Sequence, residues 1–406
     1  MIRRCCRSAA ALLCGAALFG NASAQSPQML RKLKSKYDVV WPADCGLMMV
    51  NKGGQRVPDW RRKSNGRFGF VDTLGQVVVP PVYDYASRFF NGHAIVGMKN
   101  DSGKLLSGLI DRTGRVVVPL EWEHLGNVRD GVCVAYNGEG NERVFSLVDT
   151  LGNVRRLEYN YCDDFSRGLA QVGAGTYIGN EKVPGRKPSG YEFQGKFGYI
   201  TPDGEPAIPV QFDEAGDFAS DGLAPAGMQG KYYVKWGFID RSGQFVIPCD
   251  FYSVGSFQHD RAVVCRVVEG GKLAYGFIDR SGNEVVPCRF DTASPFNFAN
   301  AWVGVLNNGE YVYALINPDG NAVLPFAVVN LQDGGKYGQA AAAIVMEDGS
   351  RRYGIVGNDG KIILPFEYDH VSIFSGWDEE NNRWQESAMG TKDGVEFSFD
   401  ISKRDE

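Results

Sequence analysis

One motif recurs along this chain at a nearly constant spacing, and this recurrence constrains the fold more than any other feature of the sequence. Eight turn glycines define seven intervals, and six of these intervals are 38 to 40 residues long. Self-similarity at a period of roughly 20 to 50 residues indicates a tandem array of supersecondary units. The remaining interval, from Gly152 to Gly204, is 52 residues long and therefore contains an insertion.

Within each unit of about 39 residues the pattern is that of β-structure. Short apolar and β-branched runs are bounded by Gly, Pro, Asn and Asp, as expected of three short antiparallel strands. The second strand carries an aromatic–Gly–aromatic–Ile–Asp sequence, for example Trp236–Asp240. We expect the third strand to end at a proline such as Pro248, because proline cannot donate to a strand ladder. The sequence therefore predicts an all-β array of about eight units.

The Asp-x-x-Gly element between the second and third strands has a structural interpretation. Aspartate caps the amides of a tight turn, and glycine takes the positive φ needed to re-enter a strand. A calcium loop is the alternative, but it needs several converging oxygen ligands. Each unit supplies one Asp, and Thr201 and Gly357 replace it in two copies. The predicted turn residues are Asp72, Gly75, Asp111, Gly114, Asp149, Gly152, Gly204, Asp240, Gly243, Asp279, Gly282, Gly320 and Gly360.

The aromatic residues on either side of the strand glycine are candidate core residues. Trp236 and Phe238 are two residues apart, so in a strand they lie on the same face. We expect them to form the core between repeats, with ligand stacking as the alternative. Glycine between them allows a close approach of a neighbouring backbone.

The segment Lys235–Gly243, followed by Val246-Ile247-Pro248, resembles the bacterial WG-containing repeat. Phe-Gly and Tyr-Gly replace Trp-Gly in other copies, as in Phe68-Gly69 and Tyr275-Gly276. The resemblance covers roughly residues 46 to 400. It implies a β-rich tandem array that is often exported, and it implies no enzyme activity, cofactor or catalytic residue.

Strand counting suggests how the array is arranged. The sequence contains nine candidate hairpins but only eight third strands that end at a proline, and a ring sealed by complementary ends would leave no spare hairpin. We therefore prefer an open, curved solenoid, with a closed β-propeller-like ring as the alternative. The expected organisation is a linker over 25–45, the repeat array over 46–386 with the insertion at about 173–194, and a capping hairpin and tail over 387–406.

The first 24 residues have the pattern of a signal peptide. Three arginines precede the apolar run Ala9–Phe19, and the small-residue sequence Ala22-Ser23-Ala24 follows. Cleavage after Ala24 predicts an exported chain that is periplasmic, cell-surface or secreted, with no transmembrane segment in its mature form. Removal of the three arginines changes the net charge from −5 to −8. A nucleic-acid partner is not expected, because it requires a concentrated basic surface.

No catalytic or metal-binding pattern stands out in the chain. The four histidines are scattered, no Cys-x-x-Cys pair occurs, and no Gly-x-Ser-x-Gly elbow is present. We therefore expect neither a cofactor nor enzyme activity. Cys249 and Cys288 each follow the repeat proline by one residue in neighbouring units, which makes them a candidate disulfide. Mature cysteines would meet an oxidising compartment.

Candidate ligand contacts lie where the copies differ. Tyr177 and Tyr191 belong to the insertion, for which a solvated loop without a binding role is the alternative. Trp377 and Trp384 flank a loop rich in acids and amides, and the alternative is that they hold the C-terminal cap in place. Insertions in repeat arrays are often on the binding face. The leading hypothesis is an exported, non-catalytic protein that binds or scaffolds protein or polysaccharide partners at the cell envelope. The alternatives are a glycan-active enzyme with a site assembled between repeats, and a purely structural spacer.

Overall fold

The computed structural model describes residues 27–54, 66–179, 191–296, 298–333, 338–378 and 383–401. The expected signal peptide, residues 1–24 with cleavage at Ala24, lies outside these residues. The chain divides into two compact units, Met1–Ala86 and Ser87–Glu406.

The first unit contains a helix and a four-stranded antiparallel sheet. Its elements are α1 (Pro27–Lys36), β1 (Val39–Asp44), β2 (Leu47–Lys52), β3 (Arg67–Asp72), β4 (Val77–Tyr83) and the two-residue β5 (Tyr85–Ala86). Leu33 of the helix is buried in a cluster with Met48, Val50 and Val71 of the sheet. The segment 25–45, expected as a linker, therefore contains α1 and β1, because Met29, Leu30 and Leu33 form an apolar face at helical spacing.

The second unit contains successive antiparallel sheets in which the strands follow chain order. The first three groups of strands are β6 (His93–Lys99), β7 (Leu105–Asp111) and β8 (Val116–Trp122); β9 (His124–Leu125), β10 (Val132–Asn137), β11 (Val144–Asp149) and β12 (Val154–Arg156); β13 (Tyr161–Cys162), β14 (Ala170–Gly179), β15 (Tyr191–Ile200) and β16 (Pro206–Phe212).

The next two sheets are β17 (Glu214–Ala215), β18 (Ala224–Gln229), β19 (Val234–Ile239) and β20 (Phe245–Phe251); β21 (Ser253–Val254), β22 (Ala262–Val267), β23 (Leu273–Ile278) and β24 (Glu284–Phe290).

A seven-stranded sheet then holds two repeats, and a three-stranded sheet follows. Their strands are β25 (Thr292–Ala293), β26 (Ala301–Asn307), β27 (Glu310–Ile316), β28 (Ala322–Asp333), β29 (Ala340–Val345), β30 (Arg351–Val356) and β31 (Ile362–Tyr368); β32 (His370–Asp378), β33 (Arg383–Lys392) and β34 (Val395–Asp400). The predicted all-β repeat array of small antiparallel sheets is confirmed. The preference for an open solenoid over a closed ring is not confirmed.

The aromatic–Gly–aromatic sequence is explained by an irregularity between the second and third strands. Trp236 pairs with Phe251 and Phe238 pairs with Ile247. A step of two residues along β19 therefore corresponds to a step of four residues along β20, which is a β-bulge. At the bulge a Cβ on Gly237 would lie 2.3 Å from the Ile247 carbonyl oxygen. Only glycine therefore fits this position, because every other residue would force the two backbones apart.

This bulge also corrects the expected end of the third strand. Pro248 lies in the middle of β20, which continues to Phe251. The same is true of Pro119 in β8 and Pro209 in β16. Proline is tolerated inside these strands because each is the outer strand of its repeat and the ladder is already interrupted at the bulge.

The hydrophobic core lies between successive sheets rather than within one. Phe238, Ile247 and Phe251 of the β17–β20 sheet share a buried cluster with Phe257 and Ile278 of the next repeat. A second cluster joins the β9–β12 and β13–β16 sheets in the same way. Of the two aromatics that flank the strand glycine, Phe238 is buried while Trp236 is only partly buried. The prediction that both aromatic rings form the core therefore holds fully for Phe238 and only in part for Trp236.

Two edges of the second unit differ in what they contain. The turn edge comprises the Asp-x-x-Gly turns together with the loops that precede the first long strand of each repeat, such as 219–222 and 298–300. The hairpin edge comprises the tips that join the two long strands, such as 138–143 and 308–309. Antiparallel pairing places these two sets at opposite ends of the strands, since Ala224 pairs with Ile239 while Gln229 pairs with Val234.

Candidate ligand-binding surface

The insertion extends a hairpin of the repeat. Residues Ala170–Gly179 pair continuously with Tyr191–Ile200, and residues 180–190 lie outside the described part of the chain. Tyr177 is paired with Phe193, and the backbone of Tyr191 is paired with that of Gly179. The sequence-predicted tyrosines therefore belong to the two facing strands of one long hairpin at the hairpin edge.

The second predicted pair lies on another hairpin. The backbones of Trp377 and Trp384 are direct partners across β32 and β33. Residues 379–382 between these strands lie outside the described residues. The structure therefore places Trp377 and Trp384 together, on a different sheet from Tyr177 and Tyr191.

The hairpin tip of the preceding repeat holds the inserted hairpin. The Asn141 side chain donates from Nδ2 to the Tyr177 carbonyl at 2.9 Å. Its Oδ1 accepts the Tyr177 amide at 2.6 Å. Asn141 thus replaces a missing strand partner, because one side-chain amide satisfies both backbone groups of Tyr177.

Arg143 is packed among aromatic rings at the same tip. Its guanidinium carbon lies 4.4 Å from the centre of the Tyr136 ring and 5.1 Å from that of Tyr177. Nη1 is 3.4 Å from the Tyr177 hydroxyl. The Nε atom is buried without a hydrogen-bond partner among the described residues. A buried unsatisfied donor costs about 1–3 kcal/mol, so this nitrogen favours an added acceptor.

His124 also stacks on Tyr136. The two rings are 4.6 Å apart and nearly parallel, at 16°. Burial lowers the pKa of His124, and the positive charge of Arg143 lowers it further, while Asp164 opposes this effect. His124 is therefore neutral at pH 7 and stacks on Tyr136 as an uncharged aromatic. Burial likewise raises the pKa of Tyr177, so its hydroxyl remains protonated.

A pocket of about 540 Å³ opens beside Arg143. It is lined by two segments, residues 141–144 and residues 156–160. The Asn160 Oδ1 accepts the Gly175 amide at 3.3 Å, which leaves its Nδ2 as a donor. We call this the Arg143 pocket. Its volume lies in the usual range for small-molecule sites.

A row of tyrosines occupies the hairpin edge further along the chain. Tyr233 and Tyr252 have ring centres 5.1 Å apart, and those of Tyr311 and Tyr313 are 6.0 Å apart. Tyr275 lies next to the first pair, because the carbonyl of its strand partner Cys265 accepts the Tyr252 amide at 2.8 Å. Burial raises the pKa of Tyr275, and the neighbouring Cys265, Tyr252 and Tyr311 raise it further. We call these five residues the tyrosine row. It crosses three successive sheets.

Members of the tyrosine row are both anchored and accessible. Tyr252 and Tyr311 are each 39% exposed, whereas Tyr275 and Tyr313 pack against buried core clusters. The rings therefore present apolar area in fixed positions. Tyrosine supplies contact area at low entropic cost because only two side-chain torsions must be fixed.

The turn edge has a different polar cluster. A cavity of about 470 Å³ is lined by Asn91, Arg129, Asp130 and residues 165–168. Burial raises the pKa values of Asp164 and Asp217, and the positive charge of Arg129 partly offsets both shifts. Among the residues that the structure describes, no group of three or more His, Cys, Asp or Glu side chains is arranged to hold a metal ion.

The candidate disulfide is absent from this structure. Cys249 and Cys288 are both free thiols. The Cys249 sulfur lies 3.8 Å from the Ala226 carbonyl of its own sheet. Burial raises the pKa of each thiol to about 11, so both remain protonated at neutral pH. The Cys249–Cys288 pairing therefore stays a prediction for mass mapping under non-reducing conditions.

Within the described residues, no helix has both the length and the apolarity required to cross a bilayer.

Several solved structures resemble the chain weakly. The tricorn protease shares 10% identity at a TM-score of 0.29, covering 90% of this chain and 47% of that one. A puromycin-hydrolyzing peptidase of Mycobacterium tuberculosis shares 10% at 0.30, covering 75% and 58%. Puromycin hydrolase shares 11% at 0.28, covering 86% and 58%. The chain thus spans about half the length of these structures, and such low TM-scores transfer no activity to it. No curated protein matches the chain.

The sheets, bulges and shared cores define a tandem β-repeat protein. Six stretches match the model of the WG containing repeat, at residues 68–101, 108–139, 197–232, 236–272, 275–311 and 353–376. The chain belongs to the WG-containing repeat family.

Sequence reasoning missed Arg143 and most of the tyrosine row. The sequence predicts Tyr275 to be one of the core aromatics beside a strand glycine, and Arg143 lies in a hairpin tip without a motif of its own. One signal was available. Tyr252 follows Phe251, whereas an acid follows the corresponding aromatic at Asp84 and Asp291.

Proposed function

We propose that this protein is an exported, non-catalytic repeat protein that binds a protein or glycan partner at the cell envelope, with the tyrosine row as its main contact surface. The supporting observation is the continuity of five tyrosines over three sheets, with Tyr252 and Tyr311 at 39% exposure. Tyrosine is enriched among residues that dominate binding energy, because it combines a large apolar ring with a hydrogen-bonding hydroxyl.

The surroundings of the tyrosine row support a rigid surface. Arg266 lies over the Phe251 ring at 4.2 Å and pairs with Asp250 and Glu284. Lys272 pairs with Asp291 at 2.5 Å. These ion pairs neutralise the charges beside the rings, so the apolar area is bordered by satisfied polar groups. Such a polar rim around aromatic residues is typical of interfaces.

Binding to immobilised mature protein tests the proposal. The ligands are a panel of cell-wall polysaccharides and a detergent extract of the envelope. We expect retention of a defined component by the wild-type protein and at least a tenfold loss in the double variant Tyr252→Ser/Tyr311→Ser. Both rings are 39% exposed, so the variant should remain folded.

Leu151→Ser is the matched control for this experiment. Leu151 is 83% exposed and lies on an Asp-x-x-Gly turn at the other edge. This variant removes an exposed apolar side chain without touching the tyrosine row, and it should retain wild-type binding. Equal loss in both variants, or no retention by the wild-type protein, would contradict the proposal.

The alternative of a glycan-active enzyme can be tested at Asp164 and Asp217. Glycoside hydrolysis requires two carboxyl groups, one of which has a raised pKa and acts as the acid. Burial raises the pKa of both residues. Long incubation with the same polysaccharides should release no reducing ends. Release that disappears in Asp217→Asn would replace the binding proposal with this one.

Export is part of the proposal and has its own test. The pattern of residues 1–24 supports it, because three arginines, an apolar run and Ala22-Ser23-Ala24 follow in the order of a secretion signal. N-terminal sequencing of the expressed protein from cell fractions should give Gln25 in a non-cytoplasmic fraction. An intact N-terminus in the cytoplasm would remove export from the proposed function.

A further inference from the structure

We propose that the Arg143 pocket binds a carboxylate-bearing sugar, a uronic acid residue of an acidic glycan. This inference rests on the proposed function, since it names the chemistry of a glycan partner and adds a second contact at the hairpin edge. Nothing in the WG repeat pattern requires the pocket. It forms between the hairpin tip at residues 141–144 and the segment 156–160, next to the contact of Asn141 with Tyr177 of the lengthened hairpin.

The charge state of Arg143 is the first argument. Several arginines of this chain pair with acids, as Arg266 does with Asp250 and Arg352 with Asp369. Within the described residues Arg143 has no acid at ion-pair distance. The carboxylate whose pKa it lowers, Glu123, is paired with Lys104 at 2.6 Å. The Arg143 guanidinium is therefore not engaged in an ion pair within the described residues.

The geometry of the guanidinium is the second argument. Tyr136 and Tyr177 contact it through their rings, so its flat face is used for stacking. Nη1 donates to the Tyr177 hydroxyl at 3.4 Å, whereas Nε is buried and has no partner within the described residues. A planar carboxylate matches the fork of N–H groups at the edge of a guanidinium. The aromatic contacts also fix the arginine in advance, which reduces the entropy lost on binding.

The rest of the lining fits a polyhydroxylated ligand. Glu142 and Glu158 are exposed acceptors for hydroxyl groups, and Asn160 has a free amide donor. Tyr159 adds a half-buried ring to the wall. Arg156 gives a second positive charge on the same pocket. Mixed donors and acceptors around one fixed arginine favour a sugar acid over an apolar ligand or a long peptide.

Calorimetric titration of the mature protein tests the inference. The probes are oligogalacturonate and a neutral galactose oligomer of the same length. We expect oligogalacturonate to bind at least tenfold more tightly than the neutral oligomer. Arg143→Gln should abolish this preference, and Arg143→Lys should restore only part of it, because a lysine cannot form the paired hydrogen bonds.

Two further variants keep the test informative. Asn160→Asp retains the acceptor for Gly175 but places a negative charge in the pocket, so it should weaken oligogalacturonate binding at least tenfold while the protein stays folded. Arg112→Gln removes an exposed arginine from a turn at the other edge and should leave binding unchanged. Wild-type affinity in Arg143→Gln and Asn160→Asp would overturn the pocket assignment.

The outcomes separate this inference from the proposed function. Equal affinity for acidic and neutral oligomers would overturn the carboxylate assignment and leave the binding function intact. Retention of an envelope component through Tyr252 and Tyr311, without oligogalacturonate binding, would overturn the inference alone. A carboxylate-bearing peptide that binds through Arg143 better than the sugar acid would also overturn it. Absence of every ligand would overturn both proposals.

Discussion

The two edges of the second unit are built from the same repeat but hold neighbouring repeats together differently. At the turn edge, each turn contacts the preceding repeat: Arg280 pairs with Asp221 at 3.3 Å, and Arg261 donates to the Pro318 carbonyl at 2.8 Å. At the hairpin edge, tip glycines such as Gly103 and Gly309 have open space around them, whereas the Asp-x-x-Gly glycines Gly243 and Gly282 lie against the preceding repeat. The turn edge thus joins the repeats, and the hairpin edge is freer to vary.

This difference has a physical origin in the turn. The Asp240 Oδ1 accepts the amides of Ser242 and Gln244, which fixes the chain as it enters the third strand. The turn glycine then lies against the third strand of the previous repeat, where a Cβ on Gly243 would be 2.6 Å from Ile208 Cγ2. Shared residues are therefore used for assembly, which leaves recognition to positions that the repeats do not share.

Asn358 should show the strongest effect of breaking the turn edge. It joins two repeats by donating to the Asn300 carbonyl at 2.9 Å and accepting the Asn300 amide at 2.8 Å, and both residues are buried. Asn358→Ala leaves a buried N–H and a buried carbonyl unsatisfied. We expect the free energy of unfolding to fall by about 3–4 kcal/mol, measured by urea denaturation.

Asn141→Ala is the matched variant at the hairpin edge. It also removes two hydrogen bonds between repeats, to the backbone of Tyr177. Asn141 is exposed, so water can replace it, and the expected loss is about 1 kcal/mol. Equal losses in the two variants would show that the edges do not differ in assembly.

Alanine substitutions at one glycine of each edge compare the two edges with a smaller expected loss of stability. Gly243 has φ +82° and Gly309 has φ +86°, so alanine suffers the same left-handed strain at each, about 1 kcal/mol. Gly243→Ala must in addition displace Ile208, which raises the expected loss to about 2–3 kcal/mol. The difference between the two unfolding free energies isolates the contact between repeats. A difference near zero would mean that Ile208 moves freely.

Acid should weaken the turn edge through its aspartates. The Thr113 hydroxyl and the nearby amides lower the pKa of Asp111 to about 2, below its value of about 3.9 in an unfolded chain. Because the folded pKa is depressed, this stabilisation is complete above about pH 4 and is lost as the pH falls towards 2. The urea midpoint should therefore fall less between pH 5 and pH 2.5 in Asp111→Asn than in the wild-type protein.

The hairpin edge supplies the control for this pH effect. Asn100 forms the same turn without charge, accepting the amides of Ser102 and Lys104 on Oδ1. Asparagine does not titrate, so the wild-type turn at Asn100 does not depend on pH. Asn100→Asp should therefore make the stability of this tip decrease at low pH. An Asp111→Asn profile that overlays the wild-type profile would assign the acid sensitivity to other groups.

Features fixed by local chemistry were predictable from the sequence. The glycine spacing predicts the repeats, and the Asp-x-x-Gly pattern places the turns, because both depend on residues within one unit. The course of β20 beyond Pro248 was not predictable in this way, since it depends on the bulge opposite Gly237. The helix α1 was not predicted because its apolar face is short and is buried only by packing against β2 and β3.

The candidate sites were less predictable than the fold because they are formed between repeats. Tyr177 was found through the insertion, but its partners Asn141 and Arg143 belong to the preceding repeat. Spacing along the chain carries no information on such contacts. The tyrosine row likewise combines residues of three sheets, and no single one of them forms a motif in the sequence.

The smallest expected effect on stability concerns the exposed tip of the hairpin edge. Tyr232 is 79% exposed beside the tyrosine row and contacts Lys231 through its ring at 5.0 Å. Because it covers no core residue, Tyr232→Ser should change the free energy of unfolding by less than about 0.5 kcal/mol. If the hairpin edge is reserved for recognition, the same variant should reduce retention of the envelope partner two- to fivefold. A fall in the free energy of unfolding of more than about 0.5 kcal/mol, without reduced retention of the partner, would show that this tip serves assembly. The two edges would then not differ in function at Tyr232.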